Sequence, residues 1–156
     1  MAERYLIYSG EHRAFWRPNS TGYCDVKNLH QAGRYTAEEA AEILGFAGPE
    51  KQLKRMKVFD LGDYVAWYSE KRNGEKVCHV GIVKAIVPMH ELPFEVYKAK
   101  GSGFMRTYSY NEKWWRHKAN DIVSFLVGVE DWPWPRLYHP AVSKLFLVNK
   151  DNLYGF

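Results

Sequence analysis

The chain has 156 residues, 46% apolar and 26% charged, with a net charge of +4. That length buries a core of its own and needs no staples, and two cysteines exclude a disulfide framework. No apolar run approaches the length of a membrane span.

Taken in chain order, "RYLIYS" (4–9) is an apolar-rich run and reads as a strand. "HRAFWR" (12–17) reads as a second strand, stopped by Pro18. Residues 18–35 are rich in Pro, Asn, Ser and Gly and read as a long loop. In "RYTAEEAAEILGF", Thr36 and Glu39 have the spacing of a capping box, and Ala37, Ala40, Ala41 and Leu44 share one helical face. The helix is expected to end at Gly45. Gly48-Pro49 breaks the chain, and 50–56 is expected to add a helical turn.

From Lys57 the period changes. "DYVAWYS" (63–69) and "KVCHVGIVKAIV" (76–87) read as strands, joined by a turn at Asn73-Gly74 for which type I′ is expected. "FEVYKA" (94–99) reads as a strand, "GSG" (101–103) as a link, and "FMRTYSY" (104–110) is ambiguous. "DIVSFLVGV" (121–129) and "KLFLVNK" (144–150) read as strands. Between them, "EDWPWPRLYHP" cannot be regular, because three prolines remove donors and fix φ. With six to eight strands and one or two helices, the chain is expected to be α+β. It is expected to form a single domain over 1–156, with a mostly antiparallel, barrel-like sheet. Residues 18–50 form a loop-plus-helix insertion or N-terminal elaboration.

Charge is uneven. Residues 51–118 hold fourteen Lys and Arg against seven Asp and Glu, or +7, while the flanking segments are slightly acidic. A basic middle fits an anionic partner such as nucleic acid. Aromatics make up 16%, with six Trp, eleven Tyr and eight Phe, more than one small core holds. Trp114 and Trp115 stand among Lys113, Arg116 and Lys118, joining π-faces to phosphate donors. Trp67 and Tyr68 alternate on one strand, so they point to opposite faces. Trp16, Arg17 and Tyr23 surround the turn in "WRPNSTGY". The candidates for base stacking are therefore Trp114, Trp115, Trp67, Tyr68, Trp16 and Tyr23. Those for phosphate are Arg116, Lys118, Lys113, Arg106, Lys100 and Arg17. A solvated basic surface and core aromatics would account for the same residues.

Phosphate-cradling and nucleophile-elbow motifs are absent, and "KGSGF" is a lone GxG. Cys24, Cys78, His79 and His30 lack the spacing of a zinc site. No catalytic residue, metal or cofactor is expected. An enzyme acting on nucleic acid or a nucleotide would draw on Glu11, His12 or His117. Surface Trp, Tyr and Arg also suit a protein interface, so a host protein is an alternative partner. A membrane is not an expected partner, and reduced thiols in a cytoplasm are.

Residues 53–87 carry Met56-Lys57-Val58, Gly62-Asp63, Tyr68 and Val80-Gly81-Ile82-Val83. This pattern resembles the PUA-like superfamily, of EVE and ASCH type. "RYLIYSGEHRAF" is similar to the first EVE strand but lacks its proline and lysine. Phe59-Asp60-Leu61 and the segment 18–50 depart from the pattern. The resemblance implies a compact β-barrel with flanking helices that binds RNA or DNA. A modified or flipped base in an aromatic cage is among the ligands it implies. Residues 16–44 are similar to N-terminal segments of small phage and prophage proteins, which implies a bacterial or phage-infected cytoplasm.

Overall fold

The structure, a computed structural model, describes residues 3–110, 118–130, 134–149 and 151. Among them are two largely antiparallel sheets and three α-helices, an α+β architecture. The chain divides into two compact units, Ala2–Val58 and Phe59–Phe156. The division falls beside Lys57, where the sequence period changes.

In the first unit the strand order is β3-β2-β1-β4, with β1 at Arg4–Ser9, β2 at Ala14–Trp16, β3 at Tyr23–Cys24 and β4 at Leu53–Val58. Helix α1 (Ala37–Phe46) starts on the expected capping box: the Thr36 hydroxyl accepts from the Glu39 amide, and the Glu39 carboxylate accepts from the Thr36 amide. Its Ala40 is buried with Ile7 and Tyr35, against Trp16, Ile43 and Leu44. Gly45 is not the cap. The helix runs on to Phe46 and leaves at Ala47 in an extended conformation, so no left-handed residue is needed there.

Residues 50–56 are not helical beyond a single 3-10 turn at Pro49–Lys51. Gln52 takes a left-handed conformation and ends that turn. The chain then pairs with β1 along its whole length, from Ser9 opposite Leu53 to Arg4 opposite Val58. Nor is 18–35 plain loop. It holds β3 and two 3-10 turns, Pro18–Ser20 and Leu29–Gln31.

The second unit carries a six-stranded sheet in the order β10-β5-β6-β8-β9-β7. These strands are β5 (Tyr64–Glu70), β6 (Lys76–Val87), β7 (Ser109–Tyr110), β8 (Ser124–Val129), β9 (Arg136–Tyr138) and β10 (Phe146–Leu147). Among the described residues, only the β7–β9 pair is parallel. No sheet closes on itself among the described residues. The β5–β6 hairpin forms where Asn73-Gly74 predicts it, but not through a type I′ turn. Gly74 takes a positive φ of 86° while Asn73 does not. The Gly74 amide donates to the Lys71 carbonyl, and the Lys71 amide to that of Glu75. This is the three-residue loop, a type I turn closed by a left-handed glycine.

Residues 94–99 are helix, not strand: α2 spans Pro93–Ala99 and α3 spans Ser102–Thr107. Pro93 is preorganised for a first helical turn, and i, i+3 spacing stacks Phe94 against Tyr97 at 6.2 Å. Six residues of "FEVYKA" fit either period. Tyr97 and Tyr108 bury one face of the sheet over Ala85, Leu126 and Leu137. The other face buries Val65, Val83 and Val127, with Phe59 edge-on to Phe125.

Candidate nucleic-acid interface

Strand β5 divides its aromatic residues between two faces. Tyr68 lies opposite Cys78 and Trp67 opposite His79, and cross-strand partners share a face. Trp67 is only 7% exposed, and its indole stacks on the His79 imidazole (5.1 Å between centroids, 21° between planes). Tyr138 packs against both rings, 5.6 Å from Trp67. Strands β5 and β9 stand three places apart in the sheet, about 14 Å at normal strand spacing. For Trp67 and Tyr138 to meet, the sheet must curl towards them. A bulge in β6 contributes: Val83 pairs with Val127 and Ala85 with Leu126, leaving Lys84 as the extra residue. His79 Nε2 also lies 2.6 Å from the Ser69 hydroxyl, so the imidazole is held by stacking and by a hydrogen bond.

Tyr68 faces the other way and is 53% exposed. Phe146 of β10 stacks on it at 5.9 Å and 24°, holding the ring upright. Beside it is a cavity of about 320 Å³ lined by Tyr68, Ser69, Glu70, Lys76 and Lys144. The ring, Lys76 and Lys144 thus form a ledge of one π-surface and two ammonium groups, with the Glu70 carboxylate beside them. Neither lysine is among the residues read from the sequence as phosphate ligands. Lys76 was within reach, since it pairs with Glu70 on the Tyr68 face. Lys144 arrives from the far end of the chain, and no local pattern places it there.

The other candidates are dispersed. Trp114, Trp115, Lys113 and Arg116 lie outside the described residues, as do His117 and Trp132. Lys118 is exposed in an irregular stretch. Lys100 follows α2, and the Arg106 guanidinium, on α3, folds back to the carbonyl and hydroxyl of Ser102. Trp134 is 72% exposed.

In the first unit Trp16 and Tyr23 are cross-strand neighbours at 6.2 Å, and Tyr23 lies 4.3 Å from the exposed His12 ring. The Arg17 side chain is exposed, while its carbonyl accepts from the Tyr35 hydroxyl. That hydroxyl also takes the Ser20 amide, pinning a loop in which Asn19 and Ser20 both have a φ of 57°. Glu11 and His12 pair at 3.6 Å on an open surface.

No family model, curated protein or solved structure matches this chain. One polar cluster is tightly knit. The Tyr108 hydroxyl donates to Glu130 Oε1 at 2.6 Å, and Lys84 Nζ reaches the same oxygen at 3.2 Å. Gly128 leaves the room, because a Cβ there would stand 2.9 Å from Lys84 Cγ and 3.0 Å from the Tyr108 ring. The Tyr108 hydrogen bond, then that of Lys84, holds the Glu130 carboxyl below its ordinary range. Burial pushes the Tyr108 phenol up, helped by Glu130. Burial works against the Lys84 charge, but bonds to Tyr108 and Glu130 outweigh it and raise the ammonium. Each group is fixed in its resting protonation state, which suits a clamp rather than a proton donor. Among the described residues, no group of three or more His, Cys, Asp or Glu could hold a metal ion, and no helix is long and apolar enough to cross a membrane.

Proposed function

We propose that the second unit is a nucleic-acid-binding module, and that Tyr68 is the platform on which an unpaired base stacks. The observation that carries this is the half-exposed Tyr68 ring, backed by Phe146 and opening on a cavity shared with Lys76 and Lys144. A ring fixed on one face and open on the other loses little freedom when a base lands on it. Two lysines beside it neutralise the flanking phosphates. The uncovered ring favours a single-stranded or extruded base, DNA or RNA, over a duplex read through its grooves. The curl of the sheet and the helices on its face support a PUA-like relationship, in which the open sheet is one wall of a barrel and a modified base is one possible ligand. Such a module belongs in a cytoplasm.

Removing one stacked base costs about 1–3 kcal/mol, roughly 5- to 150-fold in Kd. Fluorescence anisotropy with a labelled single-stranded oligonucleotide should show a loss in that range for Tyr68→Ala and a small change for Tyr68→Phe. Unchanged affinity in Tyr68→Ala would remove Tyr68 from the interface.

A protein partner is favoured by a different observation. Phe46 at the end of α1 is 85% exposed, beside a cavity of about 310 Å³ lined by Trp16, Ile43 and Ala47. Capture of one host protein after nuclease treatment, lost in Phe46→Ser, would support this second reading.

A further inference from the structure

The second unit holds a serine–histidine pair that the nucleic-acid reading does not use. Ser124 opens β8 and is 1% exposed, the buried polar side chain of this unit's core among the described residues. Its hydroxyl lies 2.8 Å from Nε2 of His139, the residue after β9. The two meet because β8 and β9 are antiparallel neighbours. Both side chains line a cavity of about 340 Å³, within the size range of small-molecule sites. Ile122, Pro140 and Val142 give it apolar walls, and Asp121 gives it a carboxylate.

We propose that Ser124 and His139 form a nucleophile–base pair acting on a small carboxylic ester with a short acyl chain. The geometry meets the first requirement of such a pair, a hydroxyl within hydrogen-bond reach of an imidazole nitrogen. Ser124 is 1% exposed and belongs to the cavity wall, so little water competes for its hydroxyl. Apolar walls suit the acyl group. The Asp121 carboxylate favours an alcohol portion that carries hydrogen-bond donors and disfavours an anionic substrate.

The step balances as follows. Ser124 Oγ attacks the ester carbonyl carbon and its proton passes to His139 Nε2. The C–O bond to the alcohol breaks, and the alcohol leaves with that proton. Water then attacks the acyl-serine, His139 taking and returning the proton, and the carboxylic acid departs with Ser124 restored.

The test is covalent labelling of the intact protein by an alkyl fluorophosphonate, which bonds to an activated serine with loss of fluoride. Peptide mass spectrometry should place the adduct on Ser124. Labelling should be absent in Ser124→Ala and at least about 100-fold slower in His139→Gln, the usual scale for a general base. Far-ultraviolet circular dichroism checks that both variants fold. Wild-type p-nitrophenyl acetate hydrolysis, blocked in proportion to labelling, gives a readout that needs no variant. No adduct on Ser124 in the wild-type protein, or an unchanged rate in folded His139→Gln, would overturn the proposal and leave the pair a structural hydrogen bond.

Discussion

The two cysteines differ by position alone. Cys24 is buried in β3, and burial pushes its thiol up, with Asp25 adding to this and Arg17 and Arg34 pulling the other way. Cys78 is free and exposed on β6. The thiolate is the reactive form, so a buried thiol held protonated reacts slowly. Iodoacetamide should modify Cys78 in the native protein and Cys24 only after denaturation. Comparable native rates, read by peptide mass spectrometry, would contradict the burial of β3. At this scale the sequence is most informative where neighbours alternate. Trp67 and Tyr68 were separable from strand period alone. Their fates were not: His79 and Tyr138 cover the one and Phe146 supports the other, and these partners come from up to 78 positions away.

Elements were legible where a local rule acts alone. The Thr36–Glu39 box starts α1 through its own side chains, whatever surrounds it. Thr36→Ala should cost about 0.5–2 kcal/mol in urea unfolding, and a change below a few tenths would mean the box does not act. The Asn73-Gly74 hairpin was legible as a hairpin but not as a turn type, which depends on whether the strands close on two residues or three. Segments near Pro49 and Pro93 were misread for a common reason. Short runs fit both periods, and the neighbour decides: β1 draws 53–58 into a strand, and the sheet face draws Phe94 and Tyr97 onto a helix. Gly81 shows the same tertiary control. A Cβ there would stand 2.6 Å from Val127 Cγ1 and 2.7 Å from the Gly128 carbonyl. Gly81→Ala should therefore destabilise the second unit by about 1–3 kcal/mol. Wild-type stability in that variant would show that β6 and β8 are not so closely apposed.

For the whole molecule, charge has two consequences. One is pH dependence through the Lys84–Tyr108–Glu130 clamp. A carboxyl held low stabilises the fold above its unfolded value, near 4.5, and loses that contribution as pH falls through the folded value. Groups held high do the reverse. The contributions of Tyr108 and Lys84 are present below their unfolded values, 10.0 and 10.5, and fade as pH rises through the folded ones. The clamp is thus intact across neutral pH, and Glu130→Gln should flatten the acid limb of a stability–pH curve. An acid limb identical to wild type would place Glu130 outside the clamp.

The second consequence concerns binding. The basic stretch 51–118, so visible in the sequence, is shared between the two units, four of its cations preceding Phe59 and ten following it. Net charge thus indicated a polyanionic partner without locating it. The ledge is located by Lys76 and Lys144, of which only the first lies in that stretch. The most direct measurement is the affinity of the protein for a short single-stranded oligonucleotide across a salt series, beside Lys76→Ala/Lys144→Ala. Each phosphate neutralised contributes a slope of about −0.7 in log K against log salt for single strands. The ledge predicts weakening with salt in the wild type, and in the double variant a slope shallower by about 1.4. Salt-independent binding, no binding, or the same slope in the variant would contradict it.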